Sequence, residues 1–363
     1  MRAAPLDLTN DLTTLTRAVC DVPSVSGDER ALADAVAAAL RGLHHLEVLR
    51  DGDTVVARTR LGRSSRVVVA GHLDTVPVAG NLPTRLVEEE GEPVVWGRGT
   101  VDMKAGVAVQ LSLAAALTAP AKDVTWVFYD HEEVAADLNG LGRVAAAHPD
   151  WLTGDFAVLC EPTAGGLEGG CNGTLRAQVV MRGVAAHSAR SWRGVNAIHA
   201  AGEVLRRLEG YQAAEFEVDG LVFREGLNAV GIKGGTSGNV VPDSCAVTVN
   251  YRFAPSRSPE QAAWHVREVF AGFEVEVVDL TGGARPGLDH PAARQFADTV
   301  LAVSGRAPTA KLGWTDVARF GSLGIPAVNF GPGDPLLAHA DDERCPVAQI
   351  EAVHAALGAW LAG

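Results

Sequence analysis

The chain has 363 residues, more than one hydrophobic core comfortably serves, so two domains are expected. Its 47% hydrophobic and 21% charged content is that of an ordinary globular protein, and no apolar run approaches the roughly 18–20 residues needed to span a bilayer. A net charge of -13 with no basic run argues against nucleic acid or an anionic membrane surface as partner.

The N-terminal stretch from Met1 to Asp7 lacks the apolar core of a signal peptide. The five cysteines (Cys20, Cys160, Cys171, Cys245, Cys345) are scattered and lack CxxC spacing. That argues against a disulfide framework and a cysteine zinc site, and it predicts a cytoplasmic protein. Ser26-Gly27-Asp28-Glu29 has the form of a capping box, with Ser26 as N-cap. Leu32, Val36, Ala39, Leu40 and Leu43 then recur at helical spacing, predicting a helix that ends near Gly42.

Residues 66–70 form a β-branched run suited to a parallel strand covered on both faces. It opens into Gly71-His72-Leu73-Asp74-Thr75-Val76-Pro77. His72 and Asp74, two apart, point to the same side of an extended segment. They read either as metal ligands or as a carboxylate orienting a ligating imidazole. Gly97-Arg98-Gly99-Thr100-Val101-Asp102-Met103-Lys104-Ala105-Gly106 is a Gly-rich loop leading into an apolar helix over 107–117. It has neither the phosphate-loop nor the dinucleotide glycine order. A second strand over 124–129 ends in Asp130-His131-Glu132-Glu133, and a third over 156–160 ends in Glu161-Pro162-Thr163. Open α/β sheets place ligands at such C-terminal strand ends.

After Gly173 the pattern changes to strand (175–182), helix (196–208), strand (227–233), strand (245–253), helix (259–270) and strand (273–279). That order, β-α-β-β-α-β, predicts an inserted domain of ferredoxin-like type, with Gly282-Gly283 in the return linker. A helix over 291–304, a strand over 327–330 and a closing helix over 347–361 complete the chain. The expected architecture is α/β. A mixed, largely parallel-sheet catalytic domain with helices on both faces (1–173 and 284–363) would carry an inserted lid or dimerisation domain (174–283).

His72, Asp74, Asp102, Glu132, Glu133 and Glu161, with His339 from a late loop, make two imidazoles and several carboxylates. Such a set suits zinc, manganese or cobalt, and with one shared carboxylate would hold two ions about 3.5–4 Å apart. Buried without a cation, that many carboxylates would be costly.

The order G-H-x-D-x-V-P, G-R-G-x-x-D-M-K, Glu-Glu, Glu-Pro-Thr and a late Ala-His resembles the M20 peptidase family, the dinuclear metallohydrolases of the aminoacylase/acetylornithine deacetylase group. Within it, Leu159-Cys160-Glu161-Pro162-Thr163, the 185–192 segment around His187 and Gly313-Trp314-Thr315-Asp316 look most like the actinobacterial type of succinyl-diaminopimelate desuccinylase. The resemblance implies a homodimeric amidohydrolase with two divalent ions, Zn2+ first with Co2+ or Mn2+ as alternatives, acting on a small N-acyl amino acid, here the N-succinyl compound. Asp102 would bridge the ions, with His72 and Glu161 on one and Glu133 and His339 on the other. Asp74 would orient His72, Glu132 would be the general base, and His187 would come from the partner subunit's inserted domain. Arg252 and Asn239 match substrate-binding positions of the family, and Arg190 is a further candidate beside His187. Acetylornithine deacetylase or another M20 peptidase is the rival within the group; a non-catalytic metal-dependent binding protein is the rival outside it.

Overall fold

Two runs, Arg66–His72, buried from Val67 onward, and Asp123–Tyr129, buried throughout, lie side by side and in parallel in the computed structural model, which describes residues 4–363. Residues 1–3, part of the stretch read for a signal peptide, lie outside the described residues. Phe156–Leu159 pairs in parallel on the other side of Arg66–His72, and Ala327–Asn329 follows it, again in parallel. The hairpin Glu47–Asp51 and Thr54–Arg58 extends one edge antiparallel, and on the other side Glu168–Gly169 pairs antiparallel with Ala327–Asn329. The sheet is therefore mixed with a parallel centre. Val67 and Val69 join a core with helices Leu12–Cys20, Arg30–Arg41, Lys104–Ala116 and Val347–Ala362. Val68 and Ala70, pointing the opposite way, are equally buried, so both faces are covered.

Contacts divide the chain into two compact units, the second being Gly170–Pro286 with Ala310–Ala318. Its four-stranded antiparallel sheet has the order Gly226–Gly234, Ser244–Phe253, Gly173–Arg182, Glu274–Thr281. With helices Ala197–Glu209 and Pro259–Val269 this gives the β-α-β-β-α-β order of the sequence reading. Along Ser244–Phe253, Cys245, Val247, Val249, Tyr251 and Phe253 are buried while their neighbours are not, as a sheet with one covered face requires. Residues 310–318, expected with the catalytic part, group with this unit because Trp314 Nε1 donates to Gly282 O (3.2 Å) and Asn172 Nδ2 to Leu312 O (3.1 Å).

Several elements depart from the sequence reading. The capping box is not formed: the helix starts at Arg30, and Glu29 at its N-cap makes no side-chain cap bond. Helix Leu12–Cys20, capped by Asp11, and the hairpin Glu215–Val218 with Leu221–Arg224 are additional. So is a small sheet of Arg85–Glu89, Glu92–Trp96 and Arg344–Pro346.

Candidate metal centre

Register brings the polar strand ends level. Ala70 lies opposite Leu159, so His72 and Glu161 are each two residues beyond paired positions, and His72 itself lies opposite Tyr129, three residues before Glu132. Helix Lys104–Ala116 presses against the same strand ends. A Cβ on Gly71 would collide with the Gln110 side chain, and one on Gly106 with the Cys160 carbonyl oxygen. Only glycine permits those approaches, and they place Asp102, two residues ahead of the helix, among the strand-end groups.

Asp102 faces two imidazoles with its two oxygens. Oδ1 lies 3.1 Å from His72 Nε2, and Oδ2 lies 3.3 Å from His339 Nε2. His339 Nε2 also lies 2.9 Å from Glu133 Oε1. His339 holds a left-handed backbone (φ 66), a conformation that costs a non-glycine residue on the order of 1 kcal/mol. Donor atoms of three triads each fall within 4.8 Å of one another: His72, Asp102, Glu161; Asp102, Glu133, His339; and His72, Glu132, Glu133. Asp102 alone is common to the first two, so these residues could hold a pair of ions with one carboxylate between them.

His72 is buried, and its Nδ1 lies 3.0 Å from the Asp74 carbonyl oxygen and 3.4 Å from Asp74 Oδ1. The closer partner is thus the Asp74 backbone, where the resemblance implied its carboxylate. That carboxylate accepts from the amides of Glu132 (Oδ1, 3.0 Å) and Glu133 (Oδ2, 3.0 Å). Burial would raise the Asp74 carboxyl, but His72 and these amides hold it down to about 2. Burial likewise opposes ionisation of Asp102, yet His339 and His72 keep it far below the usual carboxylate range. Hydrogen bonds to Asp102 and Glu133 push His339 up to about 10. The cluster therefore attracts positive charge strongly. Neutral imidazoles and carboxylates are the hard-to-borderline donors that divalent cations take, so the residues fit such ions.

One supporting residue escaped the sequence reading. Glu343 is fully buried; its Oε1 accepts from the amides of Val101 (2.8 Å) and Asp102 (3.0 Å), and its Oε2 from Arg98 Nη1 (2.9 Å). It fixes the backbone that presents Asp102. The signal available was Arg98, a guanidinium inside a Gly-rich loop that needs a carboxylate partner somewhere.

The second unit holds the remaining candidates. Ala186–His187 pairs with Val240–Val241, and Ser188 N donates to Asn239 O (2.9 Å), so His187 and Asn239 sit on adjoining segments. Arg190 lies on the exposed 3-10 stretch Ser188–Arg193. Arg252 is elsewhere. It lies near the far end of Ser244–Phe253, eight residues from Ser244, or about 27 Å at ~3.4 Å per residue, and Arg252 Nε donates to Asn250 Oδ1 (3.1 Å).

A family model for peptidase family M20/M25/M40 matches residues 68–362. The chain is 47% identical to the succinyl-diaminopimelate desuccinylase of Corynebacterium glutamicum, over 98% of this chain and 97% of that one. It is 52% identical to a Mycobacterium tuberculosis protein provisionally given the same enzyme name, over 99% and 100%. A tripeptidase crystal structure from Staphylococcus aureus superposes with a TM-score of 0.80 at 18% identity, covering 99% and 98%, which is a likeness of fold. The match spans every strand-end ligand candidate from His72 to His339, and the chain belongs to peptidase family M20/M25/M40.

Proposed function

We propose that this protein hydrolyses N-succinyl-LL-2,6-diaminopimelate to succinate and LL-diaminopimelate, serving lysine and diaminopimelate synthesis in the cytoplasm. The observation that carries this reading is near-full-length identity of 47% to the Corynebacterium glutamicum desuccinylase, in a chain that brings His72 and His339 to the two oxygens of Asp102. The described cysteines are all free and buried, and no described helix is long and apolar enough to cross a membrane; both agree with a reducing, aqueous setting.

In this reading two divalent ions, zinc first, with cobalt or manganese as alternatives, would share Asp102. His72 and Glu161 would hold one, and Glu133 and His339 the other. When bound, such ions lower the pKa of a water towards 7 and polarise the scissile carbonyl. Asp74 holds the backbone of both glutamates, leaving the Glu132 carboxylate to take a proton and deliver it to the leaving amine. His187 donates to the oxygen that becomes negative as the amide is attacked. Arg252, Asn239 and Arg190 hold the substrate's carboxylates and polar groups. A turnover panel of succinylated and acetylated amines tests the choice. The succinyl substrate should be preferred by more than about 100-fold in kcat/KM, since a site built for a carboxylate leaves its donors unpaired with acetyl; preference for acetylornithine would sink it.

The separation of Arg252 from His187 and Asn239 supports completion by a second copy, because one small substrate cannot reach both ends of that strand. The surface for it is at hand. Gly226–Gly234 is an edge strand whose Val230 and Ile232 are 60% and 57% exposed, and the adjacent helix Ala197–Glu209 exposes Ile198 and Leu205. An uncovered apolar edge invites pairing with a symmetry-related copy. Sedimentation should therefore give a dimer, and Val230→Asp with Ile232→Asp should give an inactive monomer; a fully active monomer would contradict the dimer reading.

A further inference from the structure

The side chains of Ser26 and Glu29 make no helix cap, although their spacing suggests it, and bond instead to Asp74 and to the amides of Gly27 and His131. Ser26 Oγ donates to Asp74 Oδ2 at 2.7 Å. Glu29 is completely buried, and its Oε1 accepts from the amides of Gly27 (2.9 Å) and His131 (3.3 Å). With the two amides that Asp74 accepts, three successive backbone N–H groups, of His131, Glu132 and Glu133, all donate to buried carboxylates. His131 also holds a left-handed backbone, φ 59. The conformation of the turn that bears the base is thus set by two acidic side chains from elsewhere in the chain.

The segment that supplies Ser26 is itself anchored. Thr75 N donates to Ser24 O (2.9 Å), Ser26 N to Thr75 O (3.1 Å), and Ser24 Oγ to Leu73 O (2.7 Å). The buried Lys104 donates from Nζ to Val22 O (2.7 Å), Ser24 Oγ (3.0 Å) and Cys20 O (3.2 Å). Lys104 follows the shared ligand Asp102 by two residues, so one lattice of hydrogen bonds ties the N-terminal turn, the strand end and the Asp102 loop together. Glu29 is a costly member, because its second oxygen, Oε2, is buried with no hydrogen-bond partner among the described residues. A solvent-facing Ser or Asp would start helix Arg30–Arg41 at no such cost.

We propose that Ser26 and Glu29 are positioning residues for the catalytic turn. Ser26 acts through the Asp74 carboxylate and Glu29 through the His131 amide, and together they hold Glu132 at its working position. The proposal rests on the reading of Glu132 as general base.

Ser26→Ala, Ser26→Thr, Glu29→Ala, Glu29→Gln and Glu132→Gln test it in the full-length chain. Three readouts are needed: kinetics with the succinylated substrate, bound-metal content, and amide hydrogen exchange at residues 131–133 of the metal-free protein. Ser26→Ala and Glu29→Ala should lower kcat about 10- to 100-fold, the range for loss of a supporting hydrogen bond around a metal site, with KM and metal content within about twofold. Exchange at the three amides should quicken by at least about 10-fold with the rest of the chain unchanged. Ser26→Thr, which keeps the hydroxyl, and Glu29→Gln, which keeps an acceptor oxygen, should recover most of both effects. Unchanged kcat and exchange in Ser26→Ala and Glu29→Ala would overturn the proposal, and so would a loss of kcat that only follows lost metal. If Glu29→Ala does not fold, Ser26→Ala decides alone. Inactive Glu132→Gln beside unaffected Ser26→Ala sinks the positioning role only; active Glu132→Gln sinks the base assignment itself.

Discussion

Glu132→Gln is expected to lower kcat by about 10³–10⁴-fold, at the upper end of what a positioned proton acceptor contributes, while leaving both metal ions bound. Glutamine matches glutamate in shape, and the Glu132 amide bond to Asp74 is made by the backbone, so the turn should keep its form. What disappears is the ability to take a proton from water at neutral pH. Metal content is the deciding readout, because Glu132 also belongs to a triad with His72 and Glu133 whose donor atoms lie within 4.8 Å. A ligand role predicts that Glu132→Gln loses an ion. A base role predicts full occupancy with no turnover, and then Glu133→Gln, beside His339, should be the variant that loses the ion. Full occupancy together with unimpaired hydrolysis would remove Glu132 from the chemistry. A non-catalytic binding protein predicts no hydrolysis in the parent chain at all.

The parallel strands and the acidic or imidazole residues at their ends are legible in the sequence, because a doubly covered strand is a continuous apolar run and any polar break in it stands out. His72, Glu132, Glu133 and Glu161 are found that way. The ferredoxin-like unit is legible for a related reason: the period-two burial from Cys245 to Phe253 is written directly in residue type. Ser26 and Glu29 mislead because a capping box is a local pattern, whereas the partner Ser26 actually uses, Asp74, lies 48 residues away. Glu343 is invisible for the same reason: Arg98 needs a carboxylate, but 245 residues separate the pair. The hairpin around Asp219-Gly220 is a different kind of miss. Both residues adopt positive φ (48 and 81), so a good local turn signal lay in a stretch read only as a connection. Arg252 shows a further limit, since residue type marks it as a strand-surface arginine but not that its Nε donates to Asn250 Oδ1.

Asp102→Ala should strip both sites of metal and abolish turnover, a larger effect than removing either imidazole. The reason is the division of its oxygens, Oδ1 towards His72 and Oδ2 towards His339. Without the carboxylate each triad falls to two protein donors, and both affinities should drop by more than the roughly 10- to 100-fold that loss of an outer hydrogen-bond partner costs. His339→Ala touches only the triad with Glu133 and should keep one ion, held by His72, Asp102 and Glu161. Dialysed protein analysed for metal should therefore give two, one and no ions per chain for the parent, His339→Ala and Asp102→Ala. Titration of the ion-free forms gives an independent check. Asp102 is the first cause that raises His339 to about 10, and its carboxylate favours the protonated ring. Removing it must move the His339 midpoint down, towards the ordinary imidazole value near 6.5, as followed by its ring-proton resonances against pH. An unmoved midpoint, or two ions still bound to Asp102→Ala, would mean that this carboxylate is not shared and that the pair of sites is built around another residue.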